Sequence, residues 1–163
     1  MRLAPGHRPG HLRGVQIREI HKGERPEMRA VIEAAFDRAR EAELIDRLYA
    51  DGLVLCTLVA VEDGRIIGQA TLSRMARPSN WACLAPLSVR PEAQGRGIGD
   101  RLAKAAATSE HAEAVVVLGD PGFYTRHGFL PAPRGLTSPY PVTHTLVAGR
   151  AAAVALDYPA AFG

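Results

Sequence analysis

Apolar and polar residues change their spacing several times along the chain, and each change marks an element. In "VQIREIHKG" the apolar residues Val15, Ile17 and Ile20 alternate with polar ones and predict a first strand. Pro26 then suits the first turn of a helix, and Met28, Val31, Ile32, Ala35 and Phe36 recur at helical spacing. A second helix is predicted through "AREAELIDRLYADG", with Leu44, Ile45 and Leu48 as its apolar stripe and Asp51-Gly52 as its stop. "LVLCTLVAV" and "RIIGQATLSRMA" read as two strands joined at Glu62-Asp63-Gly64. Asp-Gly between apolar runs signals a hairpin, because the turn needs positive φ.

"WACLAPLSV" is apolar almost throughout, the pattern of a central strand covered on both faces. Pro86 interrupts it. A proline has no N–H to give a ladder, so it predicts a bulge or an unpaired position. After "RPEAQGRGIGDRL" a helix runs through Leu102, Ala103, Ala106 and Ala107, and "EAVVVLGD" reads as the next buried strand. Strand, loop, helix and strand in that order favour a parallel pair. "PGFYTRHGF" predicts a short helix closed by Gly128, "PVTHTLVAG" a strand and "AAAVALDYP" another. The expectation is one α/β domain over residues 15–163, with an early antiparallel hairpin and a late parallel crossover. A mobile basic head, residues 1–14, precedes it.

Composition narrows the class. The chain has 163 residues, enough for one domain with a normal core, and is 47% hydrophobic and 23% charged, as soluble proteins are. Its net charge of +3 is too small to argue for nucleic acid as a partner, and part of it lies in the head, where Arg2, Arg8, Arg13 and Arg18 precede the first acid, Glu19. No apolar run reaches the roughly 20 residues of a membrane span, and the head lacks the apolar core of a secretory signal. His7 and His11 have the spacing of helical metal ligands, but Pro5, Gly6, Pro9 and Gly10 deny them the helix, so no metal is expected. Cys56 and Cys83 each sit in an apolar strand and read as reduced, buried thiols of a cytoplasmic protein.

The candidate chemistry starts at "QGRGIGD", residues 94–100, on the junction between a strand and a helix. The first N–H groups of a helix lack intrahelical partners and carry the positive end of the dipole. Glycines let the backbone approach an anion, and Arg96 and Arg101 can add charge, so a phosphate or pyrophosphate is the natural ligand. Two familiar phosphate loops fail on the letters. A dinucleotide fingerprint needs glycine where Asp100 stands, and a P-loop needs a lysine after its last glycine.

The stretch "VRPEAQGRGIGDRL" resembles the pyrophosphate loop of the GNAT superfamily of N-acetyltransferases, with Gln94, Gly95, Gly97 and Gly99 at its positions. "LAPLSV" is similar to that family's fourth strand and "GFYTRHGF" to its aromatic helix. "VVVLGDPGFYTRHGF", "AFDRAREAELIDRL" and the final "YPAAF" resemble the YhbS-like branch of bacterial acetyltransferases. The resemblance implies a single-domain fold with a mixed sheet, flanking helices and splayed strands 4 and 5. It implies transfer of an acetyl group from acetyl-CoA to a small amine or a protein amino group, without a metal, in a homodimer. The amides from Gln94 through Gly95, Arg96, Gly97, Ile98 and Gly99 to Asp100 would hold the pyrophosphate. Peptide groups at Leu87, Ser88 and Val89 would bind the pantetheine arm, with Pro86 marking where ladder pairing stops.

Tyr124 matches the family's general acid, which protonates the leaving thiolate. His127, one turn on, is expected to be solvated or to cap the helix. Asp120 is expected to cap the same helix at its start, with Pro121 at the first position. A base must also deprotonate the amine, and the candidates are Glu33, Glu41 and Glu43 on the early helices; Glu41 and Glu43 fall in the branch-like segment. Direct attack leaves Cys56, Cys83 and Ser88 without a covalent role. The competing reading is a GNAT-like module that binds acyl-CoA without turnover, as a sensor or scaffold.

Overall fold

A computed structural model of the protein describes residues 14–163. The proposed basic head, with His7 and His11, therefore lies outside the described residues except for Gly14. Seven strands form one sheet: β1 (Val15–Glu19), β2 (Val54–Glu62), β3 (Arg65–Arg74), β4 (Trp81–Val89), β5 (Ala114–Leu118), β6 (Leu130–Pro131) and β7 (Thr145–Gly149). Their spatial order is β1-β2-β3-β4-β5-β7-β6. Only β4 and β5 pair in parallel. The remaining pairs are antiparallel. The hairpin between β2 and β3 turns at Asp63 and Gly64, both at positive φ (51° and 75°), as the Asp-Gly signal requires.

Alternation along the strands separates two faces. Ala60, Ile67, Ala82, Leu84, Val115 and Val117 pack with Ile98, Leu102 and Ala106 of α3 (Ile98–Ala107). Val59 and Ile66 turn the other way, onto α1 (Arg25–Ala35) and α2 (Arg40–Ala50). Trp81, Cys83, Ala114 and Val116 share that second face and meet Leu136 and Leu156 of the C-terminal segment. α1, α2 and the chain's tail thus lie together, opposite α3.

Three expectations need correction. Ile20 lies beyond β1, and its odd-to-even step puts it with the α1–α2 cluster, whereas Val15 and Ile17 belong to the α3 face. In α2 the buried stripe is Ala42, Ile45 and Leu48, with Leu44 left half-buried to one side. "AAAVALDYP" forms no strand, only single bridges such as Thr137 with Ala155. Both sides of β7 are already taken, by β5 and β6, so the segment cannot pair with that strand.

Candidate active site

The site begins where the sheet opens. β4 and β5 pair only over Trp81–Cys83 and Ala114–Val116. Ala70 of β3 faces Leu87 while Leu72 faces Leu84, so β4 spends one extra residue there, at Ala85-Pro86. The predicted bulge at Pro86 is present. The N–H of Arg90 donates to the Ile67 carbonyl at 2.8 Å. Alternation along β4 therefore turns the peptide groups of Ser88 toward β3, and those of Leu87 and Val89 toward the gap that β5 has left. Of the three residues expected to offer peptide groups to pantetheine, Leu87 and Val89 thus turn theirs to the gap and Ser88 turns its own to β3; the buried Ser88 hydroxyl takes a 2.9 Å hydrogen bond from Gln69 Nε2.

Gln69 is itself fully buried and also donates to the Pro86 carbonyl at 2.9 Å, while its Oε1 accepts from Thr71 at 2.8 Å. Thr71 meets Thr57 at 3.2 Å, and Thr57 meets the Tyr49 hydroxyl at 2.7 Å. A polar chain thus crosses the sheet from α2 to the bulge.

The glycine loop follows β4. Gly95 and Gly97 are left-handed (φ 78° and 81°), and Gly97 precedes α3 without a side-chain cap. The first amides of α3 are therefore not taken by a capping side chain. They face a pocket of about 370 Å³ lined by Val89, Gln94, Gly99, Asp100, Phe123 and Arg126. Gln94 braces the loop by donating to the Val89 carbonyl at 3.0 Å. The two expected arginines point elsewhere. Arg96 pairs with Glu62 at 2.6 and 3.0 Å, and Arg101 donates to the Val15 carbonyl at 2.9 Å. Arg96 is left with its backbone amide to offer. The cation at the pocket is Arg126, which the sequence did not single out.

His127, expected to be solvated or to cap its helix, does neither. Its Nε2 lies 2.7 Å from Asp100 Oδ1, and its ring packs 5.0 Å from that of Phe123. The contact ties the loop's last residue to the turn after Tyr124. Asp120 does cap α4 (Pro121–Tyr124), accepting from the Gly122 N–H at 3.2 Å.

Tyr124 closes the other end of the gap. Its ring stands edge-on to Phe123 (4.8 Å) and Phe129 (5.4 Å). Burial pushes its phenol up from 10.0 to about 12. Gly119 makes room for it: a methyl group there would lie 2.5 Å from Tyr124 Cε2. Beyond the ring is a cleft of about 400 Å³ shared by Pro86, Leu87, Leu118, Tyr124 and residues of the α1–α2 side.

The structure separates the three acids. Glu41 lines this cleft, its side chain one-fifth exposed, and its Oε1 is buried without a hydrogen-bond partner. Glu43 stands two residues on, about 200° around α2, and faces solvent. Glu33 is exposed and paired with Arg29 at 2.8 Å. Of the three, only Glu41 lines the cleft.

Residues 54–131 match the acetyltransferase (GNAT) domain. The chain is 33% identical over 135 residues to YjhQ of Escherichia coli (strain K12), an uncharacterized N-acetyltransferase, covering 74% of each. The chain belongs to the GNAT acetyltransferases. Two solved GNAT structures resemble it closely. The YhbS protein of Escherichia coli, solved in complex with CoA, has a TM-score of 0.82 at 27% identity over 91% of both chains. A GNAT acetyltransferase from Brucella melitensis, solved with acetyl-CoA, has a TM-score of 0.75 at 29% identity, covering 91% of this chain and 98% of that one.

Within this GNAT domain both cysteines are free and buried, as expected. Burial holds each thiol up near 12; for Cys56 the nearby Glu19 adds to the rise. Cys83 lines the cleft beside Tyr124. What sequence reasoning missed is the far wall of that cleft: Phe36, Leu44, Tyr140, Tyr158 and Phe162. The only available signal was the cluster of aromatic residues late in the chain.

Proposed function

We propose that this GNAT acetyltransferase transfers the acetyl group of acetyl-CoA directly to an amine, within a single domain over residues 15–163. The observation that carries the reading is what lies along the gap between β4 and β5. A pocket at the start of α3, the open peptide groups of Leu87 with the N–H of Val89, and a cleft lined by both Tyr124 and Glu41 follow one another there. The CoA and acetyl-CoA complexes of the two relatives support the same ligand here.

The roles follow from the chemistry. The loop amides from Gln94 to Asp100 and Arg126 hold the diphosphate. Leu87 and Val89 hold the pantetheine amides, and an N–H at this position polarises the thioester carbonyl. Glu41 takes a proton from the ammonium, the amine attacks the carbonyl carbon, and the C–S bond breaks as the C–N bond forms. Tyr124 gives its proton to the leaving thiolate. A sensor needs no such acid and base, and their presence in one cleft favours the enzyme.

We place the protein in the cytoplasm as a homodimer. Its thiols are free, and among the described residues no helix is long and apolar enough to cross a membrane. Calorimetry with acetyl-CoA, CoA and ATP tests the donor. Binding of the first two alone is expected, and binding of ATP without CoA refutes the assignment.

A further inference from the structure

Resting on the acetyl-transfer reading, we infer that the acceptor is a small primary monoamine carrying an aromatic ring. The walls of the cleft state the shape of what fills it. Phe36 and Leu44 come from the α1–α2 side, and Tyr140, Tyr158 and Phe162 from the C-terminal segment. Tyr140 and Tyr158 meet edge-to-face at 4.9 Å, and Tyr158 meets Phe162 at 5.6 Å. These rings present edges and faces at steep angles, the arrangement that receives another ring. The tail is fixed in place: Arg47 of α2 donates from Nε to the Ala161 carbonyl at 3.1 Å. The wall is therefore a built part of the site.

Charge selects further. Among the described residues Glu41 is the single acid that lines the cleft; its Oε2 lies 3.8 Å from Arg38 and its carboxylate is the place for one ammonium. Arg40 and Arg47 line the same cleft and repel additional positive charge. A polyamine brings two or more ammonium groups to one carboxylate and two guanidinium groups. A lysine of a folded protein brings a bulky chain to a cleft of about 400 Å³ walled on one side by the tail. A sugar amine brings hydroxyls to walls that are mostly aromatic and aliphatic, where each unpaired hydroxyl is costly. An amine on an aromatic body meets none of these penalties.

The test is a panel of acceptors with acetyl-CoA and the full chain, read as free thiol released. The panel holds 2-phenylethylamine, tyramine, tryptamine, phenylalanine, n-propylamine, spermidine and a lysine-containing peptide. Burial of one ring predicts a kcat/KM for the aromatic amines about 10- to 150-fold above n-propylamine, with spermidine and the peptide lower still. Phe162→Ala should shrink the aromatic preference by about tenfold, and Phe162→Leu should keep most of it. A faster reaction with spermidine or the peptide overturns the inference, as does an aromatic preference near one. Acetyl-CoA binding by calorimetry with no aromatic amine turned over overturns the acceptor class and leaves the donor standing. Absence of acetyl-CoA binding overturns both.

Discussion

Gln69→Leu is the most informative single change, because this fully buried amide holds the bulge from which the thioester end of the site hangs. Leucine is close in volume, so the change removes hydrogen bonds with little loss of packing. Three partners lose their bond: the Pro86 carbonyl, Ser88 Oγ and Thr71 Oγ1. A buried group left unsatisfied costs about 1–3 kcal/mol. Thr71 keeps its 3.2 Å contact with Thr57. The Ser88 hydroxyl can rotate, so the carbonyl carries most of the penalty. Taking the carbonyl at full cost and the two hydroxyls at half gives about 2–6 kcal/mol. The added apolar burial of leucine offsets about 1–2 kcal/mol. The net loss of about 1–4 kcal/mol is a large part of the 5–15 kcal/mol typical of a domain. Urea unfolding followed by far-UV circular dichroism reads it as a lower midpoint at unchanged slope. Thiol release should fall at least tenfold in kcat at temperatures where the variant is folded, because Leu87 is no longer aimed. A variant as stable as the parent, with unchanged kcat, refutes the role given to Gln69.

Tyr124→Phe should lower kcat by about 100-fold or more while leaving the calorimetric Kd for acetyl-CoA within threefold; unchanged kcat removes Tyr124 as the acid. Glu41→Gln should slow the reaction about 100-fold near pH 7, with the deficit shrinking as pH approaches the amine's own pKa and free amine becomes abundant. An equal deficit at every pH would assign Glu41 to positioning alone. Stability should fall in alkali. The Cys56 and Cys83 thiols are raised from 9.0 to about 12, and the Tyr124 phenol from 10.0 to about 12. Native protein therefore keeps these protons where unfolded chain has lost them. That contribution is complete below pH 9 and drains away between pH 9 and 12. Urea midpoints should hold steady up to about pH 8.5 and drop by pH 10.5, and a constant midpoint across that range contradicts the burial of these groups.

The legible parts of the site were those written locally. The hairpin at Asp63-Gly64, the break at Pro86, the left-handed glycines and the Asp120 cap each follow from two or three adjacent residues. The choice between Glu41 and Glu43 was not local. Both sit in the first turn of α2, and only the docking of that helix through Ala42, Ile45 and Leu48 decides which one faces the cleft. The arginines misled for a similar reason. Arg96 finds Glu62, 34 residues away, and Arg101 finds the Val15 carbonyl, 86 away. Charge near a loop in sequence says nothing about such distant partners. Gln69 carried no signal either, since one polar residue in a strand looks like an exposed position. Its burial becomes visible only when β4 is laid beside β3.

The parting of β4 and β5 also bears on solubility. Peptide groups left open by a strand normally sit on a sheet's rim, where a strand from another chain can pair with them and seed aggregation. Here the open groups, both of Leu87 and the N–H of Val89, lie in a notch inside the sheet, with β3 on one side and β5 and β7 on the other. A second polypeptide strand, with side chains on both faces, is too broad to slide into that notch. The sheet thus keeps its unpaired peptide groups hidden from its own kind.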